Sequence, residues 1–182
     1  MLTCWVVMPT CLPTVLRRCR ACPSGRLRPN GKFRVNAHHK LIDAWLLALC
    51  TTCGETARIT VLERTHVRSV RPGLLDRLHA NDPDLAAELL HDPVVRRRNR
   101  LALDWAGAWR LDTDDADHLD HEVADVTVRF AAPIPVRPAR LIADGCALSR
   151  GEVVRLAEEG KLVSAVRLDR RTSVGFTFTL KR

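Results

Sequence analysis

Two Cys-x-x-Cys pairs, Cys19-Arg20-Ala21-Cys22 and Cys50-Thr51-Thr52-Cys53, constrain this chain more than any other feature. Two residues between thiolates let both sulfurs of one turn face a single ion. Two such turns complete the closed tetrahedral shell that structural zinc prefers. Pro23, Ser24 and Gly25 follow the first pair and Gly54 the second, small turn residues that let backbone N–H groups approach the sulfurs. Cys19, Cys22, Cys50 and Cys53 are therefore the expected ligands of one structural Zn2+. The 27 residues between the pairs exceed the usual ~15–20 and predict a ribbon with an enlarged hairpin. Four protein ligands leave no open position for a catalytic water, so the ion is expected to supply folding free energy. A redox dithiol needs its pair at a helix N-terminus in a βαβ context, and neither pair sits that way. The total of seven cysteines is odd, which argues against a fully paired disulfide framework. Cys4, Cys11 and Cys146 lack partner spacing and read as small packing thiols.

The chain has 182 residues, room for one domain or two small ones. Its net charge of +8 is unevenly placed. Residues 1–70 carry 11 Lys or Arg against 3 Asp or Glu, residues 71–130 carry 8 against 13, and residues 131–182 carry 10 against 5. Three parts follow: a zinc-ribbon-like β-rich unit over 1–70, a helical and acidic middle over 71–130 packed on it, and a small unit over 131–182. The expected fold class is α+β. Basic ends favour acidic partners. Leu2 to Leu16 is apolar but lacks leading cations and is broken by Pro9 and Pro13, so neither a signal peptide nor a membrane span is expected. A cytoplasmic protein is the expectation.

The element pattern is legible in places. Cys4–Met8 reads as a short strand. Leu41–Leu49 and Arg58–Leu62 read as a hairpin turning at the second cysteine pair. Leu74, Leu75 and Leu78 have helical spacing, with Asn81 able to end that helix. Asp82-Pro83 and Asp92-Pro93 each place an N-cap before proline at the first helical position. The helix after Asp92 is expected to carry Val94, Leu101 and Trp105 on one side and Arg96, Arg97, Arg98 and Arg100 on the rest. Val123–Phe130 alternates as a strand. Pro133, Pro135 and Pro138 read as a stiff linker. Ser149-Arg150-Gly151-Glu152 is a capping box, opening a helix that buries Val153, Leu156 and Ala157 and ends at Gly160. Leu162–Leu168 and Val174–Leu180 read as strands.

Several motifs together resemble a known family. Trp5-Val6-Val7-Met8-Pro9, the first cysteine pair, Lys32-Phe33-Arg34-Val35-Asn36-Ala37, Asp43-Ala44-Trp45-Leu46 and the second pair stand in the order seen in the bacterial domain of unknown function 1062. The resemblance spans roughly residues 4–105 and implies no activity. A second resemblance lies in Arg137–Lys161, which is similar to the alpha-L RNA-binding motif of a ribosomal protein, a heat-shock ribosome-binding protein, pseudouridine synthases and tyrosyl-tRNA synthetase. Leu148-Ser149-Arg150-Gly151-Glu152-Val153, Arg155-Leu156 and Glu159-Gly160-Lys161 match it. Arg137-Pro138-Ala139 stands where the motif has Arg-Leu-Asp, and the usual Asn-Gly after the first strand is absent. The resemblance implies a small ααββ unit whose Arg137, Arg140, Arg150, Arg155 and Lys161 contact phosphates of structured RNA such as rRNA or tRNA.

Function therefore reads as a non-enzymatic, zinc-containing module binding structured RNA, with a zinc-stabilised protein-interaction adaptor as the alternative. Arg17, Arg18, Arg20, Arg26, Arg28, Lys32 and Arg34 offer a second phosphate contact beside the metal. Phe33, Val35 and Trp45 read as core. The acidic stretch Asp112–His121, with Asp114, Asp115, Asp117, His118, Asp120 and His121, offers a hydrolytic metal site but reads as an exposed loop. His38 and His39 are conceivable auxiliary ligands and read as surface residues. No Gly-rich phosphate loop or nucleophile elbow is present.

Overall fold

The computed structural model describes residues 2–113 and 123–181. It is mixed α+β, with two five-stranded sheets and five α-helices among the described residues. None of those helices is long and apolar enough to cross a membrane. The acidic stretch from Asp114 to His121 lies outside the described residues.

The chain forms two compact units, one from residues 11–108 and the other from residues 1–10 with 109–182. The first is thus inserted between two strands of the second. Strand β1 (Leu2–Pro9) pairs antiparallel with β7 (Trp109–Thr113), and Pro9 lies opposite Trp109. A tight antiparallel closure across 99 intervening residues is invisible to a charge census. The charge boundaries at 70 and 130 accordingly fall inside the units.

In residues 11–108 the sheet runs in the order β5-β4-β3-β2-β6, antiparallel throughout. Its strands are β2 (Thr14–Leu16), β3 (Arg26–His38), β4 (Leu41–Cys50), β5 (Thr56–His66) and β6 (Ala102–Asp104). Strand β4 shows the strict alternation of a half-buried strand: Ile42, Ala44, Leu46, Ala48 and Cys50 point inward and are buried. Helices α1 (Leu74–His79), α2 (Pro83–His91) and α3 (Pro93–Asn99) cover that face, contributing Leu78, Leu85, Leu89, Leu90 and Val95 to one core.

The two Asp-Pro signals work as read. Asp82 Oδ1 accepts from the Asp84 and Leu85 amides, and Asp92 Oδ1 from those of Val94 and Val95. The helix after Asp92 is shorter than its apolar spacing implied. It stops at Asn99, Arg100 takes a left-handed conformation, and Val95 rather than Val94 is buried. Asn99 causes this: its side chain caps the free edge of β5, accepting from Thr60 N at 2.7 Å and donating to Thr60 O at 2.9 Å. Leu101 and Trp105 are buried beyond the helix.

The other unit has the strand order β7-β1-β8-β10-β9, with β8 (Val123–Phe130), β9 (Leu162–Ser164) and β10 (Phe176–Lys181). Strands β1 and β8 are parallel and the other pairs antiparallel. Helices α4 (Pro138–Gly145) and α5 (Arg150–Glu158) complete it. The capping box at Ser149 and Glu152 is formed in both directions. Two helices followed by two strands is the expected order, but β9 and β10 extend a larger sheet by pairing β10 with β8. The proline-rich segment is packed, not a free linker: Ile134 and Val136 are buried, Val136 bridges Thr172, and Pro138 opens α4. Apolar residues between the prolines give that segment side chains to bury. Strand β9 is also shorter than read, ending at Ser164. Trp5 sits at the centre, edge-on to Phe178 at 5.2 Å and against Gly145, where any Cβ would collide with the indole.

Candidate metal centre

The four paired cysteines occupy two turns at one end of the antiparallel sheet. Cys19 and Cys22 lie between β2 and β3, while Cys50 ends β4 and Cys53 lies in the turn to β5. Leu27 pairs with Cys50 in the β3–β4 ladder, which sets the turns side by side. The long gap between the pairs is the β3–β4 hairpin itself, as its length predicted. His38 and His39 stand at its opposite tip, about 30 Å away along β4 at ~3.3 Å per residue, and are no ligands.

Each turn is closed by its own backbone. Cys19 N donates to Ser24 O at 2.8 Å and Arg17 N to Gly25 O at 3.0 Å. Cys50 N donates to Glu55 O at 2.9 Å, and Gly54 N to Cys50 O at 3.0 Å. Gly54 has φ +74°, which a side chain would strain. The Ala21 amide points at Cys19 Sγ, 3.4 Å away.

The Sγ atoms of Cys19, Cys22, Cys50 and Cys53 all lie within 4.8 Å of one another. Cys19 and Cys53 sulfurs are 3.7 Å apart, Cys22 and Cys50 sulfurs 3.6 Å. A tetrahedron with metal–sulfur bonds of ~2.3 Å has edges of about 3.8 Å. Both of these approaches run between the pairs and are far too long for disulfides. The arrangement can hold one metal ion, and it is the one such cluster of His, Cys, Asp or Glu among the described residues.

Its electrostatics suit a bound cation. The Cys53 and Thr52 amides, aimed at Cys50, bring that thiol down to about 6. For Cys53 the Glu55 amide pulls downward, but the Cys22, Cys50 and Cys19 sulfurs and burial outweigh it and push the thiol up to about 12. Cys22 is raised as well: the Ser24 amide lowers it, and burial with the Cys50 and Cys19 sulfurs overcomes that. Four negative sulfurs at this spacing repel one another, and a divalent cation makes their joint ionisation favourable. Of the other cysteines, Cys4 and Cys146 are half-buried, while Cys11 is exposed and does not serve as a core thiol.

The C-terminal cations are less free than their sequence implied. Arg140 lies 3.5 Å from Asp144 and over the Trp109 ring, Arg155 lies 3.8 Å from Glu159, and Lys161 lies 3.6 Å from Glu159. Arg137 and Arg150 are exposed and make no ion pair among the described residues. Helix geometry causes this: i,i+4 spacing puts Asp144 and Glu159 beside the arginines one turn earlier.

Sequence reading also misplaced Trp45. Phe33 and Val35 pack against the core, but Trp45 lies on the face of β4 opposite Ala44 and Leu46, with Arg58 over its ring at 5.3 Å. The period-2 alternation of β4 was the signal that could have placed it.

The chain matches the family described as Protein of unknown function (DUF1062) over residues 35–168, and it belongs to that family. The match takes in the second cysteine pair and all of α4 and α5 and begins after the first pair. No curated protein and no solved structure matches the chain.

Proposed function

We propose that this protein is a non-enzymatic module, built around one structural Zn2+ held by Cys19, Cys22, Cys50 and Cys53, that binds structured RNA through α4 and α5. Thiolate-only ligation at tetrahedral spacing favours zinc, and a closed shell of four protein ligands supports a structural over a catalytic role. The observation that carries the RNA reading is the pair Arg137 and Arg150, exposed beside the starts of α4 and α5 and unpaired with carboxylates among the described residues. Guanidinium groups so placed reach phosphates across a helical RNA and read its shape. Arg140, Arg155 and Lys161 contribute less, because each already faces a carboxylate.

Filter binding of tRNA and rRNA fragments at low salt tests this. Arg150→Ala should weaken binding and reduce the salt slope by about 1. Absence of affinity for either RNA removes the reading. The adaptor alternative is favoured by a shallow, mainly apolar groove of ≈ 480 Å³ lined by Ala139, Val154, Ala157 and Leu168 together with Glu158, Arg167 and Asp169, with Val154 47% exposed. A protein partner captured equally well after RNase treatment would support it.

A further inference from the structure

We propose that the open face of the metal-bearing sheet binds single-stranded nucleic acid, with Trp45 as a stacking platform and Arg28, Arg34 and Arg58 as phosphate contacts. Residues directly opposite one another in an antiparallel ladder share a face. Arg34 lies opposite Trp45, and Trp45 opposite Thr60. Leu47 lies opposite Arg58, and Arg28 opposite Leu49. These residues therefore line the face that turns away from α1, α2 and α3, whose leucines pack against Ala44, Leu46 and Ala48.

The chemistry of that face is selective. Arg28, Arg34 and Arg58 are exposed, and none is in an ion pair among the described residues. Trp45, Leu47 and Leu49 run half-buried down its middle. The carboxylate in the same row, Asp43, is engaged elsewhere: its Oδ1 accepts from the Arg64 amide at 2.7 Å. Three cations around a central indole, against the single Asp43 carboxylate at the end of that row, complement a polyanion carrying flat aromatic bases. A duplex hides those base faces in its stack, whereas a single strand presents them. Arg58 covers the indole in the unbound protein. On binding, it exchanges this cation–π contact for a phosphate and leaves the ring to a base. Arg28 and Arg34 lie opposite Leu49 and Trp45, four residues apart on β4, so the surface extends about 13 Å, enough for a short stretch of strand.

This surface shares no residue with the structured-RNA contact proposed on α4 and α5, so either can fail alone. The test is fluorescence anisotropy of the zinc-loaded full chain with labelled decauridylate and decathymidylate, starting at about 50 mM salt. Three phosphate contacts should give a log–log salt slope near −2, and Arg34→Ala or Arg58→Ala should each make it shallower by about 0.7. Trp45→Ala should weaken binding by roughly tenfold without changing the slope, and Trp45→Phe should restore most of the loss. The Arg137→Ala/Arg150→Ala double variant should bind both decamers unchanged. Arg34 is exposed, so its variant carries the test should Trp45→Ala lose its metal and fold. The proposal is overturned if neither decamer binds, if Arg34→Ala and Arg58→Ala leave affinity and slope unchanged, or if an acidic polypeptide displaces the decamers as well as unlabelled strand does.

Discussion

In residues 11–108, β2, β3 and β4 each pair with the next strand in sequence, and only β6 joins from a distance, on β2. In the other unit β1 pairs with β7 and β8, so that Val7 lies opposite Leu111 and Phe130. The meander is local but thin, its β4 inner row being largely Ile, Ala and Leu, and two of its turns converge on four thiols. The discontinuous unit has no such cluster among its described residues and instead packs Trp5, Phe176 and Phe178 with α4 and α5. One unit gathers four thiols where its hairpins end; the other relies on large aromatic groups brought together from both ends of the chain.

The largest expected effect tests that contrast directly. Stripping zinc with a chelator, or replacing Cys50→Ser, should unfold residues 11–108, because zinc binding to such sites is worth about 10–16 kcal/mol and is folding free energy. Hydrogen exchange should then show lost protection in β3 and β4 and retained protection in β8 and β10. Equal loss in both sheets would break the contrast.

A smaller effect should appear in the other unit. Gly145→Ala places a methyl group against the Trp5 ring, where no space exists. Overpacking of this kind costs about 1–3 kcal/mol. Thermal unfolding followed at β8 and β10 should shift down while zinc content stays full. Zinc loss in this variant would mean that the units are not separable.

The smallest effect sharpens the comparison through pH. Glu152 is held below the usual carboxylate range by the Ser149 amide and then by the Ser149 hydroxyl. A depressed carboxyl contributes stability above its unfolded value of ~4.3, and that stability is lost as pH falls through the lower folded value. As pH falls below that unfolded value, α5 should therefore loosen gradually. Ser149→Ala should cost about 1 kcal/mol at neutral pH and flatten that acid slope. Residues 11–108 should fail at higher pH in the same titration, because protonation of the thiolates releases the ion.

Sequence made the four-cysteine cluster legible because Cys-x-x-Cys is a local motif: one turn aims two sulfurs, and the gap between pairs equals one hairpin. It likewise revealed α2, α3 and α5 through Asp82, Asp92 and Ser149, whose side chains satisfy amides two or three residues away. It did not reveal where Trp45 faces or how Asn99 shortens α3, since both depend on a neighbouring strand. Nor did it show that Arg155 and Lys161 share Glu159.

By itself, then, the sequence determined the cysteine cluster, the helix starts and the α+β class, all of which follow from contacts within a few residues or one hairpin. Only the tertiary structure decided that β1 closes onto β7 across an inserted unit. Only it decided which arginines stand free and which side of β4 meets solvent. Strand pairing and ion pairing at a distance depend on which groups the fold brings within a few ångströms, and no local pattern encodes that proximity.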